Sequence, residues 1–106
     1  MSTQRLQQLQ ALLSESPRDS FLLFAIAKEL EKLDRPDEAL QQYRLLLETD
    51  AHYVGAYYHL AKLLEKKDQR MEALAIYEKG MLVARQAGDQ HALGELATAK
   101  LLLEEE

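Results

Sequence analysis

Apolar residues return every three or four positions along most of this chain, the spacing that lines one face of an α-helix. Leu6, Leu9, Leu12 and Leu13 form such a stripe in a first helix predicted from about Thr3 to Ser14. Ser16-Pro17 reads as a stop and a fresh N-terminus, with the proline tolerated in the first turn of a second helix over about 18–33. Asp34-Arg35-Pro36 breaks that helix. Pro36, Asp37 and Glu38 then open a third, running to about Glu48, with carboxylates where the helix dipole favours them. A fourth helix is predicted over about Tyr53 to Lys67, a fifth from about Met71 to Gln86 or Ala87, and a last over about Gln90 to Leu103. Gly88 follows the fifth helix in the way a terminating glycine does. The connections are short, about two to five residues, so successive helices lie antiparallel.

The helices also repeat. Ile26-Ala27-Lys28 and Leu60-Ala61-Lys62 agree at a shift of 34 residues, as do Leu30 and Leu64, Glu31 and Glu65, Lys32 and Lys66, and Asp34 and Asp68. Glu38-Ala39-Leu40 falls on Glu72-Ala73-Leu74, and Tyr43 falls on Tyr77. A period of this length marks units that cannot bury their apolar face alone and must stack on a neighbour. Such a stack offers a surface for holding a polypeptide and carries no chemistry of its own.

Composition narrows the function further. At 106 residues there is room for one domain, rich in helix formers and poor in β-branched residues, so the fold is predicted to be all-α. A net charge of −5 and a pI near 5.2 argue against nucleic acid as a partner. The absence of cysteine removes disulfides, thiol catalysis and zinc–thiolate sites. His52, His59 and His91 lack metal-site spacing, and no nucleophile elbow or glycine-rich phosphate loop is present. No metal, cofactor or enzymatic activity is expected. The longest apolar run, Phe21 to Ala27, is far too short to span a membrane, and the N-terminal residues lack an apolar signal core. A soluble cytoplasmic protein is the expectation.

Within each unit the pattern resembles the tetratricopeptide repeat, a 34-residue pair of helices termed A and B. Leu23, Ile26, Ala27, Leu30, Ala39 and Tyr43 occupy its large and small columns in one unit, and Tyr57, Leu60, Ala61, Leu64, Ala73 and Tyr77 do so in the next. The resemblance implies a right-handed superhelical stack of about six helices in a single domain. Residues 1–16 would be an N-terminal B-like half repeat, 20–53 and 54–87 two full repeats, and 88–106 a capping helix. Ala27, Ala39, Ala61 and Ala73 would let A and B helices approach closely, and Tyr43 and Tyr77 would fill the gap between units. The chain departs from the family at Asp34 and Asp68, where glycine is usual. It departs again at Leu46 and Gly80, where alanine is usual, and at Ala51 and Arg85, where proline is usual. Aspartate tolerates a left-handed backbone better than most residues.

In this family the A helices line a concave groove. The columns that point into it read Phe21, Phe24, Lys28, Glu31 and Lys32, then Gly55, Tyr58, Lys62, Glu65 and Lys66. The candidate peptide-binding residues are therefore Phe21, Phe24, Lys28, Lys32, Tyr58, Lys62 and Lys66, with an aromatic pair expected beside a lysine pair. A partner polypeptide with an apolar anchor and nearby acidic groups would fit. The bland alternatives are that Phe24 and Tyr58 pack against each other and the last helix, completing the core, and that the lysines form solvated i,i+3 pairs with Glu31 and Glu65. The carboxylate-clamp subset of the family has lysine and asparagines where this chain has Phe24, Lys28 and His59, so its specificity does not carry over. A second function is self-association: Leu101, Leu102 and Leu103 follow one another, so at least one cannot face its own core, and a homodimer would cover it.

Overall fold

The computed structural model describes residues 3–106, and among them every element is helical. Six helices follow in order: α1 Gln4–Glu15, α2 Ser20–Lys32, α3 Pro36–Thr49, α4 Val54–Lys66, α5 Arg70–Ala87 and α6 Gln90–Glu104. They form two compact units, Met1–Asp50 and Ala51–Glu106. The predicted helices are all present. The one shift of substance is at the start of α2, because Asp19 caps it with a side-chain oxygen that accepts from the Leu22 N–H at 3.0 Å. Pro17 and Arg18 therefore lie in the preceding turn, and the proline is not part of the helix. Pro36, by contrast, opens α3 as its first residue.

Three helices end in the same way. After α2, Asp34 takes φ 59°, its N–H donates to the Glu31 carbonyl at 3.0 Å, and the Arg35 N–H donates to Leu30 at 2.9 Å. Asp68 (φ 63°) and Gln69 repeat this on Glu65 and Leu64 after α4, and Gly88 (φ 71°) and Asp89 repeat it on Arg85 and Ala84 after α5. This pair of bonds satisfies carbonyls that a helix end leaves unpaired. Aspartate thus takes the left-handed position twice, and glycine takes it once.

In the first unit α2 packs along α3 and α1. Ala27 and Ala39 are wholly buried between helices, and Leu6, Leu9, Leu23, Ile26, Leu30 and Leu46 close round them. The single-carbon side chains let the helix backbones come together, and the leucines supply the buried apolar area. The second unit is built alike from α4 and α5, with Ala61 and Ala73 wholly buried, and it adds α6 through Leu96, Ala99 and Leu103. Tyr43 and Tyr77 are both fully buried, and their hydroxyls have the same destination. Tyr43 donates to the Glu31 carboxylate and Tyr77 to that of Glu65, tying the B helix of each unit to its A helix. Burial first, then the neighbouring carboxylate, pushes both phenols well above the ordinary tyrosine range.

Gly80 explains itself in this unit. A Cβ there would lie 2.6 Å from the Tyr57 Cβ and 3.1 Å from Leu96 Cδ1. Tyr57 is itself fixed, with its hydroxyl donating to the Ala51 carbonyl at 2.7 Å. The glycine is the close-contact point of α5 with α4 and α6.

Candidate peptide-binding faces

In the first unit, the stripe on α2 that the core does not use presents Phe21, Phe24, Lys28 and Lys32. All four line one open depression of about 720 Å³, which α1 completes with Arg5. Phe21 is 65% exposed, as a residue without a packing role would be. Phe24 is half-buried, its ring edge-on to Tyr43 with centroids 6.2 Å apart, so one edge belongs to the core and the other to the depression. The two carboxylates at this site are already engaged. Glu31 takes the Tyr43 hydroxyl, and Glu29, only 7% exposed, accepts from Arg5 with Nε to Oε1 at 3.2 Å. Lys28 and Lys32 add positive charge to an aromatic wall.

In the second unit, Tyr58 and Lys62 on α4 face α6 across an open trough of about 550 Å³, whose far wall includes His91, Gly94, Glu95, Thr98 and Leu102. Gly94, Thr98 and Ala99 are the small residues of that wall. The Lys62 ammonium stands 5.7 Å from the Tyr58 ring centroid and 3.8 Å from a Glu65 oxygen. The first contact is a cation–π arrangement, and the second is one of the i,i+3 pairs foreseen as a solvated alternative. The Tyr58 ring also meets His59 edge-on at 5.6 Å. On α6, His91 lies 3.6 Å from Glu95.

The structure thus gathers four of the seven candidate residues in one depression and two in the other, while Lys66 is exposed at the end of α4 and lines neither. Arg5, Glu29 and the α6 residues escaped the sequence reading. The only signal for Glu29 was a carboxylate one residue out of register with the groove columns. Leu60 and Leu96, 36 residues apart, mark α6 as an A-like cap, but that column match alone does not say which α6 side chains face Tyr58. Among the described residues no His, Asp and Glu cluster is arranged to hold a metal ion, and no helix is long and apolar enough to cross a membrane.

Repeated antiparallel helix pairs with open, chemically mixed depressions on their A helices define a helical-repeat protein-interaction module. Solved structures give the family. A tetratricopeptide repeat domain protein from Salinibacter ruber, known in solution, is 45% identical; the match covers 84% of this chain and 90% of that one, with a TM-score of 0.81. A crystal structure of a tetratricopeptide repeat domain protein from the same organism is also 45% identical, with 81% and 97% covered and a TM-score of 0.78. The chain belongs to the tetratricopeptide repeat family. The type III secretion translocator chaperone SycD of Yersinia enterocolitica shares the fold at 15% identity, with 93% and 69% covered and a TM-score of 0.84. No protein-family model and no curated protein matches the sequence.

Proposed function

We propose that this protein is a non-catalytic adaptor holding a polypeptide segment against the outward faces of α2 and α4, the faces that line the concave groove in this family. The observation that carries the reading is the depression of the first unit. Two aromatic rings, one of them 65% exposed, stand beside Lys28, Lys32 and Arg5, and both carboxylates there have partners inside the fold. A large apolar anchor on the partner would cover Phe21 and Phe24, and acidic groups next to it would meet the lysines. Within the second unit, the Tyr58–Lys62 trough offers the same combination of ring and cation. These faces are small, so affinity for a short peptide is expected to be about micromolar.

The test uses labelled peptides of about a dozen residues, each with one Phe, Leu or Trp flanked by Asp and Glu, and matched peptides with Lys in place of the acids. Fluorescence anisotropy should show binding of the acidic set alone. Phe21→Ala and Lys32→Glu, both at exposed positions, should weaken it at least about tenfold with unchanged melting. Equal binding of the acidic and basic sets, or no loss in both variants, would overturn the reading.

A further inference from the structure

A carboxylate on a face that receives acidic groups works against it, neutralising the cations and repelling the incoming charge. Each unit carries one at the same column of its A helix. Glu31 lines the first depression, and Glu65 reaches toward Lys62 of the second trough. Lys28 and Lys62 stand three residues before them, the spacing at which a lysine and a glutamate meet across one helical turn.

Both carboxylates are drawn inward by a tyrosine. The Tyr43 hydroxyl donates to Glu31 Oε2 and the Tyr77 hydroxyl to Glu65 Oε2. Each ring is fully buried on the B helix of its unit, so its phenol is a fixed point that cannot follow a carboxylate outward. In the second unit the effect shows as a distance. The oxygen that takes the Tyr77 hydroxyl also lies 3.8 Å from the Lys62 ammonium, whereas a charge-assisted N–H···O bond is about 2.7–2.9 Å long. Lys100 comes closer to both of its carboxylates, 3.4 Å from Glu78 and 3.5 Å from Glu104, and those two are more exposed than Glu65.

We infer that Tyr43 and Tyr77 are positioning residues for the charge of the two faces. Their hydroxyls hold Glu31 and Glu65 back from Lys28 and Lys62, so that each lysine meets an acidic partner against a weakened competitor. The consequence for partner choice rests on the adaptor reading; the tether does not. A phenylalanine would fill nearly the same core volume, so packing accounts for the ring but not for its oxygen. The repeat supplies that oxygen twice, each time on a glutamate twelve residues upstream. A hydrogen bond to an immobile donor confines the acceptor to within about 3 Å of it, and a carboxylate so confined cannot also follow a mobile ammonium.

Removing one oxygen at a time tests this. In Tyr77→Phe the Glu65 carboxylate loses its inward donor and should close on Lys62. A carboxylate in contact favours the charged ammonium, which does not acylate. Acetic anhydride labelling read residue by residue by mass spectrometry should therefore modify Lys62 about two- to fivefold more slowly than in the unmodified protein, with Lys28 unchanged. Tyr43→Phe should do the reverse, slowing Lys28 and leaving Lys62. Adding Glu65→Gln or Glu31→Gln to the matching variant should restore its rate. Loosened packing alone would instead quicken labelling at many lysines, and the glutamines would not reverse it. In the anisotropy assay Tyr43→Phe should weaken acidic peptides about two- to fivefold, and Tyr43→Phe with Glu31→Gln should recover them. Unchanged labelling of Lys28 and Lys62, or no rescue by glutamine, would overturn the tether. Altered labelling with unchanged peptide affinity would overturn its part in partner choice. If the unmodified protein binds no acidic peptide, the adaptor reading and that part fall together, and the labelling still decides the tether.

Discussion

Replacing Gly80 with alanine sets two effects of known size against each other. A mid-helix Gly→Ala change favours the helix by about 1 kcal/mol, because glycine loses more backbone freedom on folding. The added Cβ, however, would sit 2.6 Å from the Tyr57 Cβ and 3.1 Å from its Cγ. Carbon atoms settle at about 3.5–4.0 Å, so roughly 1 Å of room must be found. Leu96 Cδ1, at 3.1 Å, is the end of a flexible side chain and can rotate away. The Tyr57 Cβ is rooted on α4, and the tyrosine is 3% exposed with its hydroxyl held on Ala51, so the helix itself must move. Overpacking of this kind costs about 1–3 kcal/mol, which leaves Gly80→Ala destabilised by up to about 2 kcal/mol. Gly94 supplies the matched control, since nothing lies within 4 Å of its added Cβ and only the propensity gain remains. Urea denaturation followed by circular dichroism should therefore separate the two alanine variants by about 1–3 kcal/mol at equal m-values. If Gly80→Ala is as stable as Gly94→Ala, the close approach of α5 to α4 is wrong.

Further outcomes follow from other contacts. Because folding raises the Tyr43 and Tyr77 pKa values, the stability they link to protonation is fully present below about pH 10 and is lost as pH rises beyond it, by up to about 1.4 kcal/mol per pH unit for each tyrosine. The double Tyr43→Phe, Tyr77→Phe variant should accordingly be less stable at pH 8 and should close the gap between pH 10 and about 11.5 in urea titrations; a constant gap would refute the linkage. Asp34→Gly and Asp68→Gly remove a left-handed penalty and should each raise the urea midpoint, by about 0.5–1 kcal/mol in stability. Arg5→Ala leaves the nearly buried Glu29 carboxylate without that donor and should cost about 1 kcal/mol, a modest figure because the arginine is largely exposed. Thermal melts of Arg5→Ala and Arg5→Lys measure it.

Local signals carried far in this sequence. The left-handed turns were legible because Asp34 and Asp68 stand at a column where backbone geometry is demanding, and Asp is among the few residues that accept it. The buried alanines were legible because helical spacing and the repeat agreed on them. Pro17 misled, because proline is compatible with both a turn and a helix start; the Asp19 cap decided between them. Glu31 and Glu65 were read as facing the groove, yet each takes a tyrosine hydroxyl from twelve residues downstream on another helix. No local pattern encodes such a bond, since it depends on how two helices pack. The same holds for the half-burial of Phe24, whose ring meets Tyr43 edge-on and also borders the depression.

Lys62 is already spoken for: its ammonium shares Glu65 and the Tyr58 ring before any partner arrives. Arg5 likewise leans on Glu29. An acidic segment entering the trough of the second unit as proposed would therefore trade places with Glu65 at Lys62, and mobile ions would weaken the departing contact as well as the incoming one. On the proposed function, binding there would be an exchange reaction, with a shallower dependence on ionic strength than the number of basic residues would suggest.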